Sequence, residues 1–129
     1  MSLSPRELIR HILDEIDYIL SQIPNTDFDS FVKNATLKRA FVRSIEIIGE
    51  ASKKLPEDVK SKQPDIEWRK VAGMRDRLIH DYFGVDYTIV WDVATTKLPD
   101  LREKLQSLLE TIVKRQQASA PDVKSRGSK

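Results

Sequence analysis

The chain has 129 residues, of which 40% are hydrophobic and 33% are charged, and this composition favours one soluble globular domain over a disordered or membrane-embedded chain. The 22 Lys and Arg residues nearly balance the 20 Asp and Glu residues, so binding to RNA would require a local basic patch. The absence of cysteine excludes disulfides, thiolate catalysis and cysteine-ligated zinc. With neither an apolar run long enough for a membrane span nor a signal-peptide pattern, we expect a cytoplasmic protein.

The first part of the sequence predicts a long helix. Ser4 suits the N-cap, Pro5 suits the first helical position, and Glu7 completes a capping box. Residues 28–32 follow as either a short helix or a turn. The apolar stripe of the long helix recurs at spacings of three and four, up to the break at residues 24–27: Leu8, Ile9, Ile12, Leu13, Ile16, Ile19, Leu20 and Ile23.

A second long helix is predicted from about Ala35 to Leu55. Gly49 lies in its interior, where glycine costs roughly 1 kcal/mol relative to alanine, and a close contact with another helix would explain it. Residues 56–64 are predicted to form a polar connector with at most one helical turn.

The third long helix is predicted from about Glu67 to Phe83, with Gly84 as its C-terminal stop. Asp86 suits the N-cap of a following helix, which should run to about Thr96. The sequence 98–100 then restarts or kinks the helix, because Pro99 suits a first-turn position.

A final amphipathic helix follows, and its stripe comprises Leu101, Leu105, Leu108, Leu109, Ile112 and Val113. About five to six helices with short connectors predict an all-α antiparallel bundle. We assign residues 1–118 to this domain and residues 119–129 to a polar tail that we expect to be disordered.

The sequence from Met74 to Gly84 contains the candidate chemistry. Arg75 is a permanent cation that can bind a phosphate, and His80 can transfer a proton, so the two could act on a phosphodiester without a metal. On one straight helix Arg75 and Tyr82 lie within about 20° of each other, whereas Arg75 and His80 lie roughly 140° apart. A bent arginine side chain, another element or a second copy of the chain must then complete the site. A two-fold contact would do so, and this geometry predicts a homodimer.

Asp76 is a candidate for orienting the imidazole, because it precedes His80 by four residues on the predicted helix. The last turn of a helix also favours the protonated form of a histidine. Both effects favour His80 as a general acid near neutral pH.

The same stretch also has a purely structural interpretation. His80 could be a surface or capping residue, Arg77 and Asp81 a solvent-facing ion pair, and Tyr82 and Phe83 packing at the helix end.

Other candidate residues are also most simply structural. Val71, Met74 and Leu78 have core spacing. His11 has no chemical neighbour, and Trp68 and Trp91 are expected to anchor the core or an interface rather than stack on bases.

The pattern Arg75-x4-His80-x-Tyr82 resembles the motif of the HepT toxins, a branch of the HEPN superfamily of helical ribonucleases. The resemblance extends through the flanking sequence, from roughly residue 6 to residue 115. The similar runs are residues 45–55, 64–75, 84–91 and 98–101.

This resemblance implies the toxic half of a type VII toxin–antitoxin pair, whose partner is a minimal nucleotidyltransferase antitoxin called MntA. It implies a homodimeric RNase that needs no metal or other cofactor and cleaves tRNA or mRNA. By position, Arg75 and His80 are the catalytic pair, and Tyr82 is the residue that the antitoxin silences by transferring AMP.

The corresponding mechanism is attack of the ribose 2′-OH on the adjacent phosphorus, which leaves a 2′,3′-cyclic phosphate. His80 transfers the proton and Arg75 stabilises the phosphoryl oxygens. A rival interpretation is a helical dimer that only docks a nucleotidyltransferase. An RNA-binding protein without cleavage is disfavoured by the near-balanced charge.

Overall fold

Helices form most of the chain that the computed structural model describes, which is residues 3–80 and 84–119. They are α1 (Pro5–Gln22), α2 (Phe28–Lys33), α3 (Ala35–Lys53), α4 (Glu57–Lys60), α5 (Trp68–Ala72), α6 (Met74–Leu78), α7 (Tyr87–Asp92) and α8 (Leu98–Ser119). A 3₁₀ turn (Ile23–Asn25) follows α1, and a π-helical segment (Val93–Lys97) joins α7 to α8. Two strands of two residues each, β1 (Ile79–His80) and β2 (Gly84–Val85), lie between α6 and α7. The predicted all-α class is confirmed.

The number of helices differs from the prediction. When α7, the π segment and α8 are counted as one continuous helix, the described residues form seven helices, so the prediction of five to six is wrong. The connector at residues 56–64 folds one turn into α4, and the predicted third helix is divided in two. Helix α1 packs against both α3 and α8, while the antiparallel bundle order stays a prediction. The predicted tail lies outside the described residues from residue 120 onward.

Side-chain caps fix the helix starts where the sequence predicted them. The Ser4 hydroxyl accepts a hydrogen bond from the Glu7 backbone N–H at 3.1 Å, and the Ser4 N–H donates to the Glu7 carboxylate at 3.0 Å. Asp86 accepts hydrogen bonds from the backbone N–H groups of Thr88 and Ile89 at the start of α7. Each cap pairs N–H groups that the first helical turn cannot satisfy internally.

The predicted apolar stripes of the first and last helices meet α3 in one hydrophobic core. From α1 and α3 the core receives Leu8, Ile9, Ile12, Leu13, Ile16, Ile19, Phe41, Ile45, Ile48 and Ala51, and from α8 it receives Leu98, Leu101, Leu105, Leu108, Leu109 and Ile112. Leu20, Ile23 and Val113 are partly buried against it. Among the helices that the structure describes, none is both long and apolar enough to cross a membrane.

The prediction of a single third helix from about Glu67 to Phe83 is wrong. Gly73 separates α5 from α6, and Ile79 adopts an extended backbone with φ −106° and ψ 123°. From there, β1 pairs with β2 in an antiparallel ladder that joins Ile79 to Val85 and His80 to Gly84. Gly84 has φ +74°, a left-handed conformation that suits glycine, so it belongs to this hairpin and does not stop a helix. The apolar spacing of the segment resembles a helix, but the low helix propensity of Gly73 and the β-branched side chains of Ile79 and Val85 favour the break and the ladder.

Pro99 changes the local helix type but does not restart the helix. Proline has no N–H and its ring crowds the carbonyl four residues earlier, which is that of Thr95. The π segment from Val93 to Lys97 widens the helix there, and Leu98 N–H bonds to the carbonyl of Val93. The chain therefore continues into α8 without interruption.

Candidate active site

Arg75 is held by an acidic side chain from a different helix. It lies in the first turn of α6, and its Nε donates a hydrogen bond of 2.7 Å to Oε2 of Glu46 on α3. The side chain of Arg75 is 48% exposed and that of Glu46 is 27% exposed. The guanidinium is therefore fixed along one edge and open to solvent.

Glu46 was not predicted as a site residue. It precedes Arg75 by 29 positions, and nothing in its local sequence connects the two residues. One signal did exist: Gly49 follows Glu46 by less than one helical turn and predicted a close helix contact on this part of α3.

The predicted contact at Gly49 is confirmed. A Cβ atom at Gly49 would lie 3.2 Å from the carbonyl oxygen of Ala72, which is tighter than an ordinary van der Waals contact. Ala72 is the last residue of α5, and Arg75 follows it by three positions. The close approach of α3 to α5 therefore sets the distance that Glu46 must span to reach Arg75.

His80 lies on β1, beyond the end of α6, where its backbone pairs with Gly84. The angle of roughly 140° between Arg75 and His80 on one helix is wrong, because the helix ends at Leu78. The last turn of a helix was expected to favour the protonated form of His80, and this expectation no longer applies because His80 does not lie on the helix. The side chain of His80 lies outside the described part of the structure.

Asp76 is exposed on α6. Its predicted proximity to His80 depended on helical spacing of four residues, and that spacing is absent because β1 is extended. An orienting role for Asp76 therefore stays a prediction without its original geometry. Tyr82, together with Asp81 and Phe83, lies outside the described residues.

The two tryptophans anchor parts of the fold, as predicted. Trp68 is partly buried against the core, and its indole N–H donates to the carbonyl oxygens of Lys60 and Gln63. Trp91 is partly buried against the same core, with its ring centroid 5.2 Å from that of Phe31. His11 is exposed on α1, which agrees with its structural interpretation.

A cavity of about 190 Å³ lies between α5–α6 and the start of α8, and Arg77 contributes to its lining. Charged groups on its rim pair with one another. Lys70 lies 3.0 Å from Glu67, and its hydrogen bond lowers the pKa of that carboxyl. Lys104 lies 3.0 Å from Asp100, whose hydrogen bond raises the pKa of the lysine. These pairs reduce the net field that this part of the rim presents to a charged ligand.

Within the part of the chain that the structure describes, no group of three or more His, Cys, Asp or Glu side chains is placed to hold a metal ion.

The comparison with protein families matches residues 10–108 to the family described as Ribonuclease HepT-like. The match covers α1 from its second turn, the whole Arg75-x4-His80-x-Tyr82 pattern and the first half of α8. It therefore includes both Arg75 and its partner Glu46.

Individual relatives agree with the family match. The chain is 43% identical over 107 residues to a protein of Caldanaerobacter subterraneus subsp. tengcongensis named as a candidate RNase, and this covers 83% of the chain and 96% of the relative. It is 38% identical over 108 residues to a Thermococcus cleftensis protein named as a candidate ribonuclease HepT, covering 84% and 98% of the two chains. A candidate RNase of Methanocaldococcus jannaschii is 42% identical over 101 residues, covering 78% of this chain and 84% of the relative. No solved structure gives a significant match.

Proposed function

The chain belongs to the HepT-like ribonuclease family, and on that premise we propose that it is the toxin of a type VII HepT/MntA toxin–antitoxin pair. In this proposal it is a cytoplasmic RNase that cleaves cellular tRNA or mRNA. The observation that carries the proposal is the complete Arg75-x4-His80-x-Tyr82 motif in a chain of this family. The exposed guanidinium of Arg75 supports it, because a substrate phosphate can reach this group from solvent.

The proposed reaction needs one group that transfers a proton and one cation that binds the phosphate. The ribose 2′-oxygen forms a bond to phosphorus and loses its proton, while the bond from phosphorus to the 5′-oxygen breaks and that oxygen gains a proton. His80 takes the proton from the 2′-OH or gives a proton to the leaving 5′-oxygen. Arg75 stabilises the negative charge that builds on the phosphoryl oxygens. The products are a 2′,3′-cyclic phosphate and a 5′-hydroxyl.

Silencing is proposed to act on Tyr82, the motif tyrosine. The phenolic oxygen forms a bond to the α-phosphorus of ATP, pyrophosphate leaves and the phenol loses its proton. The MntA-type antitoxin catalyses this transfer, and the attached AMP adds a negative charge and bulk within the motif. RNA phosphate would then be repelled from the same surface. With an antitoxin present, Tyr82→Phe should stay toxic while the wild type is neutralised. Equal neutralisation of both would point to inhibition by binding alone.

A homodimer is also part of the proposal. Its original geometric reason does not hold, since His80 lies on β1 and not on the helix of Arg75, so it rests on the family resemblance. Mixing Arg75→Ala and His80→Ala chains tests it: a site shared between copies should regain activity in the mixture. A monomer by light scattering would contradict the homodimer, and a mixture that stays inactive would contradict a site shared between the copies.

The rival function is a docking module in which Arg75 and His80 only contact a nucleotidyltransferase. Expression of the wild type and of His80→Ala without a partner separates the two. The RNase proposal expects growth arrest and fragmented RNA only with the wild type. Equal growth and intact RNA in both cultures would favour the docking module.

A further inference from the structure

The pair formed by Arg75 and Glu46 gives the guanidinium a defined orientation. A guanidinium carries five N–H donors, and the bond from Nε to Glu46 uses the single donor on the inner edge. The four other donors are on the two Nη atoms at the end of the side chain, which is 48% exposed. These paired donors match the oxygens of a phosphate in a bidentate contact.

We propose that Glu46 is a positioning residue for the ribonuclease reaction: it holds Arg75 by its Nε edge so that the Nη edge faces the scissile phosphate. This inference rests on the proposed function and extends it to a residue outside the motif. Glu46 acts through Arg75 and does not itself contact the reacting atoms.

The backbone around the pair is suited to this role. Glu46 lies on α3, which is 19 residues long and contributes Ile45 and Ile48 to the core. Gly49 on the same helix lies against the Ala72 carbonyl, so α3 and the end of α5 cannot approach more closely. Arg75, in contrast, lies on a five-residue helix that begins at Met74. A carboxylate on a long helix anchored in the core therefore constrains an arginine whose own helix is too short to be stable alone.

The charge of Glu46 has the opposite effect on binding. A carboxylate at 2.7 Å from the guanidinium offsets much of the positive field that an RNA phosphate would meet. Positioning should therefore favour the chemical step at the expense of affinity. A salt bridge that only stabilised the fold would leave kcat unchanged in a folded variant that lacks it.

The chain contains a matched control for this test. Arg102 on α8 donates a hydrogen bond from its Nε to Oδ1 of Asp17 on α1. The side chain of Arg102 is 41% exposed and that of Asp17 is 50% exposed. This pair also joins two helices, but it lies outside the motif. Asp17→Ala therefore removes an equivalent ion pair without touching Arg75.

The experiment compares wild type, Glu46→Ala, Glu46→Gln and Asp17→Ala in two assays. Steady-state kinetics on a fluorogenic RNA oligonucleotide gives kcat and KM. Binding to a 2′-O-methyl RNA oligonucleotide, which lacks the attacking hydroxyl, gives Kd as a function of salt. Circular dichroism confirms that each variant is folded.

In Glu46→Ala, kcat should fall about 10- to 100-fold, because the guanidinium loses its orientation. Glu46→Gln keeps a carbonyl oxygen that can accept the Nε hydrogen bond, so most of kcat should return. Both variants lose the negative charge, so both should bind the oligonucleotide more tightly, with a salt dependence of log Kd steeper by up to about 0.7. Asp17→Ala should match the wild type in both assays.

A wild-type kcat in Glu46→Ala would overturn the positioning role, and so would an equal loss in Glu46→Gln with unchanged salt dependence. If Glu46→Ala does not fold, the salt dependence of Glu46→Gln decides, and a wild-type slope counts against the proposal. An inactive wild type would overturn the proposed function itself, which distinguishes that failure from failure of the role of Glu46.

Discussion

Two of the arginine–carboxylate pairs in the described part of the chain join different helices, and they differ in their surroundings. The pair of Arg75 with Glu46 links α6 to α3, while the pair of Arg102 with Asp17 links α8 to α1. Helix α8 has 22 residues and is held along its length by buried leucines. Helix α6 has five residues and leads directly into a two-residue strand. The same chemical contact thus occurs once in a self-supporting helix and once in a segment that depends on its neighbours.

The comparison indicates where the fold needs a tether. Arg102 is placed by its own helix, so its ion pair adds little beyond the few tenths of a kcal/mol typical of exposed pairs. Arg75 is placed by Met74 and Leu78, which are buried, and by its contact with α3. A hydrogen bond of 2.7 Å from the Asp86 N–H to the Leu78 carbonyl also closes the end of α6. Loss of a contact should therefore matter more around Arg75.

The largest expected difference between the two regions is in catalysis. Arg75→Ala should lower the rate of RNA cleavage about 10²- to 10³-fold, because it removes the donors proposed to stabilise the phosphoryl oxygens. Arg102→Ala, the matched change on α8, should cleave at the wild-type rate. The measurement is the initial rate on a defined RNA under identical conditions. Similar rates for the two variants would remove the distinction between the pairs.

A smaller effect is expected at the helix contact that supports the first pair. Gly49→Val places a branched side chain where even a Cβ would lie 3.2 Å from the Ala72 carbonyl oxygen. Overpacking of this kind should lower the free energy of unfolding by about 1–3 kcal/mol. Thr36→Val, at an exposed position on the same helix, should change it by less than about 0.5 kcal/mol. Urea denaturation measures both, and equal stabilities would show that the contact at Gly49 can relax.

The smallest effect is expected at the start of α1, away from both pairs. Ser4→Ala removes the cap of α1 and should cost about 1 kcal/mol of stability. RNA cleavage should be unchanged, since Ser4 lies on an element that does not carry the motif. A loss of activity without a loss of stability would contradict this separation.

The same cap predicts a dependence on pH. Hydrogen bonds from Ser4 lower the pKa of Glu7 from its ordinary value of 4.5. The backbone N–H of Ser4 has the larger effect and its side chain the smaller. The charged carboxylate therefore stabilises the fold above that value, and this contribution is lost as the pH falls through the lowered pKa. The stability difference between wild type and Glu7→Gln should be larger at pH 7 than at pH 3. A difference that grew at pH 3 would have the wrong sign.

Features set by neighbouring residues could be predicted from the sequence. The capping box at Ser4 and Glu7, the Asp86 cap and the apolar stripes depend on spacings of a few positions, and all are confirmed. Gly49 could also be interpreted, because a glycine inside a helix requires a tertiary reason.

Features set by contacts between distant segments could not be predicted. Val71, Met74 and Leu78 keep helical spacing across Gly73, so the break between α5 and α6 leaves no trace in the apolar pattern. The ladder that pairs His80 with Gly84 joins two strands of only two residues each, and such strands are too short to show the apolar–polar alternation that predicts a strand. The pairing of Glu46 with Arg75 depends on how α3 meets α6, which a local pattern does not encode.

Cleavage of one RNA in the presence of EDTA, with analysis of the product ends, tests the central claim most directly. The account predicts that wild-type protein cuts the RNA without a metal and leaves a 2′,3′-cyclic phosphate, whereas His80→Ala leaves it intact. An RNA with 2′-deoxyribose at the cleavage site should resist the wild type. Cleavage that stops in EDTA, or equal cutting of the 2′-deoxy substrate, would contradict the proposed chemistry of Arg75 and His80.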